Sequence, residues 1–393
     1  MIVLLKNIVL KVASLCNLNC TYCYVYNKGD ESYKRQPKIM SEIVVEETLK
    51  NIKRHCEKFD IKNFLIVFHG GEPLLTGIEF YNKFIKKYEE IFNDSVIKID
   101  FALQTNGVLL TEEIVSTFKK LNIIPGISLD GTPESNNKNR IYHNGKGSYN
   151  DILNGFNLVK KIFGNGYANC LCVVDINENP KEVYSHFKKI GVNEVNLLFP
   201  DNNFESKTNN NEDFYNRLIN IFEIWYSDAD NNKPQIKLFS DLIGLILGEP
   251  YCGNEMYGKR ENSTLVVETN GSIETVDTLK VCGNGFTNTN INVFKNELND
   301  IYKLNALSRK YYYSHNDISQ KCVSCELVEV CGGGFLAHRY SSLNGFDNPS
   351  VYCLELAKLI CYIQNRLYSD LPIELQNEIE KINYDDIKEF IEN

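Results

Sequence analysis

Short apolar runs alternate with amphipathic stretches over about the first two hundred residues. The runs IVLKVAS (8–14), FLIVFHG (64–70), IDFALQT (99–105), IPGISLD (124–130), NCLCVVD (169–175) and EVNLLFP (194–200) are brief and rich in branched and aromatic residues, and read as strands. Between the second and third, Ile78, Tyr81, Phe84, Ile85, Tyr88, Ile91 and Phe92 recur at helical spacing. Thr111 is placed to cap a helix in the stretch 110–121, and Pro180 sits where a first-turn proline is tolerated. Strands alternating with helices predict a parallel sheet with right-handed crossovers, and nearly continuous apolar strands predict that it is covered.

If that sheet curls, its working edge is the C-terminal end of the strands. Four chemically suggestive stretches fall there: the loop Cys16–Cys23, His69-Gly70-Gly71-Glu72, Gln104-Thr105-Asn106-Gly107 and Ser128-Leu129-Asp130-Gly131. The fold class expected is therefore α/β, a partial (β/α)6 barrel of the TIM type.

Further on, polar text at 201–213 leads into a helix over 214–228, followed by a second polar break at 229–235. From about 250 the pattern changes to that of a β-hairpin turning at Asn270-Gly271, and then to cysteine-rich text. The tail from about 354 reads as helical. The expected organisation is a barrel domain over 1–235, a cysteine-rich domain over 236–365 and a helical tail over 366–393.

Composition narrows the class. A chain 43% hydrophobic and 24% charged is that of an ordinary globular protein. It holds no apolar run of membrane-spanning length and no cleavable signal pattern, so a cytoplasmic location is expected. A net charge of −9 argues against non-specific nucleic-acid binding. Thirteen cysteines are many for a reducing compartment, where they serve more often as ligands or catalytic groups than as disulfides. They also cluster, three within 16–23 and four within 322–353.

Cys16, Cys20 and Cys23 are one thiolate short of a closed tetrahedral site. A three-thiolate loop on a four-iron cluster leaves one iron open to a reactant, as an incomplete ligand set does at catalytic zinc. The spacing CxxxCxxC, with aromatic Tyr22 before the last cysteine, resembles the signature of the radical S-adenosylmethionine (SAM) enzymes. That resemblance implies a [4Fe-4S] cluster on Cys16, Cys20 and Cys23 whose open iron takes SAM. One electron then splits SAM to a 5′-deoxyadenosyl radical that abstracts hydrogen. It further implies that Gly70, Gly71 and Glu72 (the GGE motif) serve the SAM ammonium and that Ser128 and Arg140 hold its carboxylate. Tyr22, His69 and Asn106 join them in binding it.

The second group, Cys322, Cys325, Cys331 and Cys353, supplies four thiolates, and from spacing alone structural zinc and an iron–sulfur cluster compete. Its position resembles the SPASM extension of peptide-modifying radical SAM enzymes, which implies an auxiliary [4Fe-4S] cluster. The full SPASM pattern has more cysteines; here Val276 and Phe335 stand where two are usual. Cys252 and Cys282 are either free thiols or unusual ligands. Asp277 falls where sulfatase-maturating relatives carry a catalytic base, and otherwise reads as a solvated hairpin carboxylate. Cys56, Cys170, Cys172 and Cys361 read as packing residues.

Residues 8–365 as a whole resemble the FxsB-like maturases, akin to the GrrM and XyeB groups, on the strength of CGGG-x-x-x-HRY and GFDNPSVYC. The resemblance implies modification of a ribosomally made precursor peptide, with an aromatic ring joined to a Cβ in a cyclophane, and an electron donor such as flavodoxin or ferredoxin. Other radical reactions on peptides stand second: sulfatase-type Cys or Ser oxidation, hydroxylation, thioether formation or epimerisation. A zinc-stabilised peptide-binding protein is the non-enzymatic alternative. His338, Arg339 and Tyr340 are read as anchoring the cysteine-rich loop rather than meeting an acidic substrate. The early start of the cysteine loop leaves no room before it for a leader-binding domain, so leader recognition is expected at a sheet edge or on a separate partner.

Overall fold

The computed structural model describes residues 4–175, 178–206, 212–249, 252–377 and 381–392, so residues 207–211 of the polar stretch lie outside the description. Its strands are β1 (Asn7–Ala13), β2 (Asn63–Gly70), β3 (Lys98–Thr105), β4 (Ile123–Ser128), β5 (Asn169–Val173), β6 (Glu194–Leu198), β7 (Gln235–Ile236), β8 (Thr264–Val267), β9 (Ser272–Glu274) and β10 (Ile291–Asn292). The helices among them are α1 (Glu42–Lys58), α2 (Ile78–Phe92), α3 (Glu112–Lys120), α4 (Pro133–Asn139), α5 (Tyr149–Phe163), α6 (Pro180–Ile190), α7 (Glu212–Ser227) and α8 (Lys237–Ile246). Every strand expected from the first half of the chain forms, and the α/β partial-barrel class is the one observed. Thr111 caps α3 by accepting from Ile114 N, and Pro180 opens α6.

The chain divides into two compact units. The first comprises Met1–Val173, Gly191–Glu194 and Ser263–Tyr312. Within it β1, β2, β3, β4 and β5 pair in sequence order, all parallel. The far edge of β1 is taken by β8, also parallel, with Asn7 opposite Thr264. β8 turns through Asn270-Gly271 into antiparallel β9, and Gly271 has φ +83°, as such a turn requires. This return is why the chain does not divide at 235 as expected: residues 263–312 carry the second edge partner of β1. Flanked on both sides, β1 is nearly all buried. Phe68, Tyr81, Phe84 and Phe118 fill the space between sheet and helices, with Phe68 and Phe84 edge to face at 4.8 Å. Burial of each such ring stabilises the layer by roughly 2 kcal/mol.

The second unit comprises Val174–Ile190, Val195–Asn262 and Tyr313–Asn393. A helix over Cys353–Ser369 packs against α7 and α8, burying Leu359, Ile360 and Ile363. That helix runs through the boundary expected at 365, and the helix Tyr384–Glu392 packs back on it, so the tail belongs to this unit. Among the described residues no helix is long and apolar enough to cross a membrane.

Candidate active site

In the first unit the loop after β1 carries Cys16, Cys20 and Cys23. It is pinned by backbone bonds from Asn19 N to Ile141 O (2.7 Å) and from Thr21 N to Asn139 O (3.0 Å). His143 Nε2 lies 3.0 Å from Cys16 O. Cys16 Sγ receives the N–H of Leu18 at 3.4 Å and the Asn106 amide at 3.8 Å, and Cys23 faces the N–H groups of Tyr26 and Val25. Burial pushes the Cys16 thiol up to about 12 and raises Cys20 and Cys23. Backbone donors aimed at sulfurs that desolvation keeps from ionising alone are what a thiolate-ligated cluster uses when metal supplies the missing positive charge.

The two glycines after His69 are required by contact. At Gly70 (φ +140°) a Cβ would lie 2.1 Å from Ala13 O, and at Gly71 it would lie 2.0 Å from Tyr26 Oη and 2.3 Å from Leu15 O. The close approach lets Gly71 N and Glu72 N bond Ala13 O and Leu15 O, each at 2.9 Å, fixing the end of β2 to the root of the cysteine loop. Glu72 is buried, and its carboxylate accepts from Leu74 N (3.0 Å), Thr105 Oγ1 (2.7 Å) and Asn106 N (2.9 Å). It thus ties the end of β2 to the loop after β3. Asn106 in turn donates to Asn17 Oδ1 at 2.8 Å.

Ser128 Oγ accepts from Gln104 Nε2 at 2.9 Å. Tyr22 Oη donates to Asp130 Oδ2 at 2.5 Å and accepts from Arg140 Nη1 at 2.6 Å. Three buried polar atoms around this edge have no hydrogen-bond partner: Ser14 Oγ, His69 Nδ1 and Arg140 Nε. Buried donors left open cost free energy unless a ligand meets them, so the site fits a polar zwitterion with a carboxylate near Arg140.

Asp277 opens a short 3-10 turn after β9. Its Oδ2 is 2.9 Å from Lys11 Nζ and accepts from Tyr24 Oη at 3.2 Å. Burial alone would raise this carboxyl, but Lys11, then His69 and Lys280, pull it down to about 2. Lys11 also faces Glu268 at 3.6 Å, while Lys280 faces Glu274, Glu268 and Asp30 at 3.2, 3.3 and 3.7 Å. Asp277 is therefore a buried, ion-paired group rather than a solvated hairpin carboxylate.

In the second unit Ser319 caps the turn carrying Cys322, accepting its N–H at 3.4 Å. Cys331 ends a short helix, and Gly332, Gly333 and Gly334 follow with φ of +64°, +80° and +74°. A Cβ at Gly332 would lie 1.9 Å from Gly258 O. The unusual backbone turns the N–H of Gly333 toward the Cys331 sulfur, and Leu327 N–H faces Cys325. Cys353 feels the charges of Cys331, Cys322 and Cys325, which places the four sulfurs near one another. This donor set fits a thiolate-bound cluster. Among the described residues no three His, Cys, Asp or Glu side chains are arranged about a single ion.

His338 and Arg339 are fully buried, with Val351 N bonding His338 O at 3.0 Å and Asn348 Nδ2 bonding Arg339 O at 3.0 Å. That is the anchoring arrangement. None of the thirteen cysteines is in a disulfide; Cys56, Cys170, Cys172 and Cys361 are buried, and Cys252 packs against Gly244 of α8. Residues not singled out from the pattern are Lys11, Tyr24, His143, Glu268 and Lys280. Lys11 had one available signal, a lone charge inside an apolar strand.

Residues 10–190, a little under half of the chain, match the model of the Radical SAM superfamily. Over most of its length the chain is similar to a cysteine-type anaerobic sulfatase-maturating enzyme of Clostridium novyi (strain NT), 26% identical over 89% of this chain and 92% of the relative. A serine-type anaerobic sulfatase-maturating enzyme of Bacteroides thetaiotaomicron is 28% identical over 84% and 82%. Among solved structures, native anSMEcpe with bound AdoMet superposes with a TM-score of 0.78 at 25% identity, covering 95% of this chain and 100% of that one.

Proposed function

We propose that this enzyme modifies a peptide substrate by taking a hydrogen atom from a Cβ. The observation that carries the reading is the buried Asp277 carboxylate, held ionised by Lys11 and bonded to Tyr24, the residue next to Cys23. An ionised carboxylate beside a radical-generating loop serves any reaction in which the carbon centre later gives up an electron and a proton. Cys16, Cys20 and Cys23 would hold the first cluster, and Cys322, Cys325, Cys331 and Cys353 an auxiliary [4Fe-4S] cluster. When bound, SAM supplies the 5′-deoxyadenosyl radical that removes the hydrogen atom.

The chain's own residues do the rest. The backbone at Gly70 and Gly71 brings the ligand close to the cysteine loop. Glu72 holds the β2 and β3 loops at fixed spacing. Ser128 and the open Nε of Arg140 take a carboxylate, and Asp277 receives the proton. With a proton affinity as low as about 2, Asp277 accepts only from a strongly acidic carbon centre, which confines its action to the oxidised intermediate.

For the product we favour a bond between the Cβ and a nearby aromatic ring in a ribosomally made precursor, in keeping with Val276 and Phe335 standing where sulfatase-type relatives carry cysteines. Oxidation of a Cys or Ser is the second reading, favoured by the similarity over most of the chain to both sulfatase-maturating types. Mass spectrometry of the peptide encoded beside the gene, co-expressed with the enzyme, separates them. Loss of two hydrogens with no reaction toward a hydrazide supports the crosslink. A hydrazide-reactive aldehyde supports oxidation, and an unchanged peptide removes both.

A further inference from the structure

The second unit contains a buried cation whose donors are left largely open. Arg339 is 0% exposed, and its Nε and Nη2 have no hydrogen-bond partner. Its Nη1 reaches only the carbonyl of Asp317, at 3.5 Å. A guanidinium removed from water and left with open donors costs several kcal/mol, so a chain retains one only where something negative meets it.

Its surroundings name that partner. An added Cβ at Gly333 would lie 3.5 Å from Arg339 Nη1, so the guanidinium rests on the triple-glycine turn directly after Cys331. The charges of Cys322, then Asp317, then Cys331 act on it. The glycines permit the approach, because a side chain at Gly333 would also collide with Ile318 Cγ2 at 2.7 Å. Four thiolates around four irons carry net negative charge, and each further electron adds to it.

We propose that Arg339 is the counter-charge and hydrogen-bond donor of the auxiliary cluster, a positioning residue that holds its reduction potential high enough to accept an electron. This rests on the auxiliary-cluster reading above. A fixed cation and donors beside the sulfurs stabilise the reduced, more negative state and raise the potential. Lysine in its place keeps the charge and loses the fork; methionine keeps neither.

The test uses the full chain carrying Cys16→Ala, Cys20→Ala and Cys23→Ala, so that only the second group can bind iron. No iron after anaerobic reconstitution would remove the auxiliary cluster itself, whatever Arg339 does. With a cluster present, redox titration followed by electron paramagnetic resonance should show a lower potential when Arg339→Met is added. The expected shift is at least tenfold in the reduction equilibrium, about 59 mV for a one-electron couple, with Arg339→Lys between. An unchanged potential in Arg339→Met overturns the proposal. Should that variant hold no cluster, hyperfine spectroscopy of the parent chain grown with ¹⁵N-arginine decides: nitrogen coupling to the reduced cluster supports the assignment, and its absence overturns it.

Discussion

Lys11 Nζ on β1 stands 2.9 Å from Asp277 Oδ2 at the start of the turn after β9, and the two side chains are only 4% and 7% exposed. Neither charge has water to fall back on. The pair therefore welds the cysteine-loop strand to the hairpin that returns beside it. Replacing Lys11 by Met should destabilise the first unit by about 3–5 kcal/mol, since Asp277 loses its ion-pair partner and Glu268 keeps only Lys280. Adding Asp277→Asn should recover a large part of that loss. Urea denaturation of the four members of the cycle measures the coupling, and additive effects would show that the pair contributes nothing.

The same pair sets an acid limit. Asp277 drops to about 2 in the folded chain from roughly 3.9 in an unfolded one. A depressed carboxyl stabilises above its unfolded value and loses that contribution as pH falls through its folded value. The window is thus about pH 4 down to pH 2, and the contribution is on the order of 2 kcal/mol. Asp277→Asn should flatten the stability curve across that window and leave its slope above pH 5 unchanged. Any acid limb in the rate above pH 5 then belongs to another group, and one that vanishes in Asp277→Asn would contradict this assignment.

Gly71→Ala should be far costlier than a surface glycine change, because the new methyl meets Tyr26 Oη and the Leu15 carbonyl together. Backbone must move, separating the end of β2 from the cysteine loop. A loss of SAM binding of tenfold or more is expected by isothermal titration of the reconstituted protein. Gly166→Ala, where nothing lies within 4 Å of the new carbon and the backbone is not left-handed, is the control for general damage and should bind as the parent does.

Iron content separates the two thiol groups. Cys16→Ala should remove about half of the iron and all activity. Cys331→Ala should remove the other half and leave SAM binding in place. Equal iron in the parent and Cys331→Ala would show that the second group holds no cluster.

The barrel strands were legible because short runs rich in branched and aromatic residues recur between helical stretches, although β2 and β3 alternate buried with more open positions. The α3 cap at Thr111 and the turn at Asn270-Gly271 are local chemistry and were equally plain. Lys11 was not. In IVLKVAS it looks like one polar interruption, and its meaning comes from Glu268 and Asp277, far along the chain. Glu72 was legible as a motif member, but two of its three donors, Thr105 Oγ1 and Asn106 N, lie at the end of β3, far along the chain. The pairing of β8 with β1 was hidden for the same reason: a four-residue apolar run reads as half of a hairpin and carries no mark of a parallel neighbour.

That late neighbour sets an order of assembly. β1 and the cysteine loop leave the ribosome long before β8, so one edge of β1 stays open until β8 has been synthesised. Until then the nascent chain carries an unpaired, apolar edge next to three thiols, a species prone both to mispairing and to oxidation. Chains halted before Thr264 should be cut by protease near β1, and chains carried past β9 should resist. The order of synthesis thus leaves the strand that carries the cysteine loop half-paired until its late neighbour arrives.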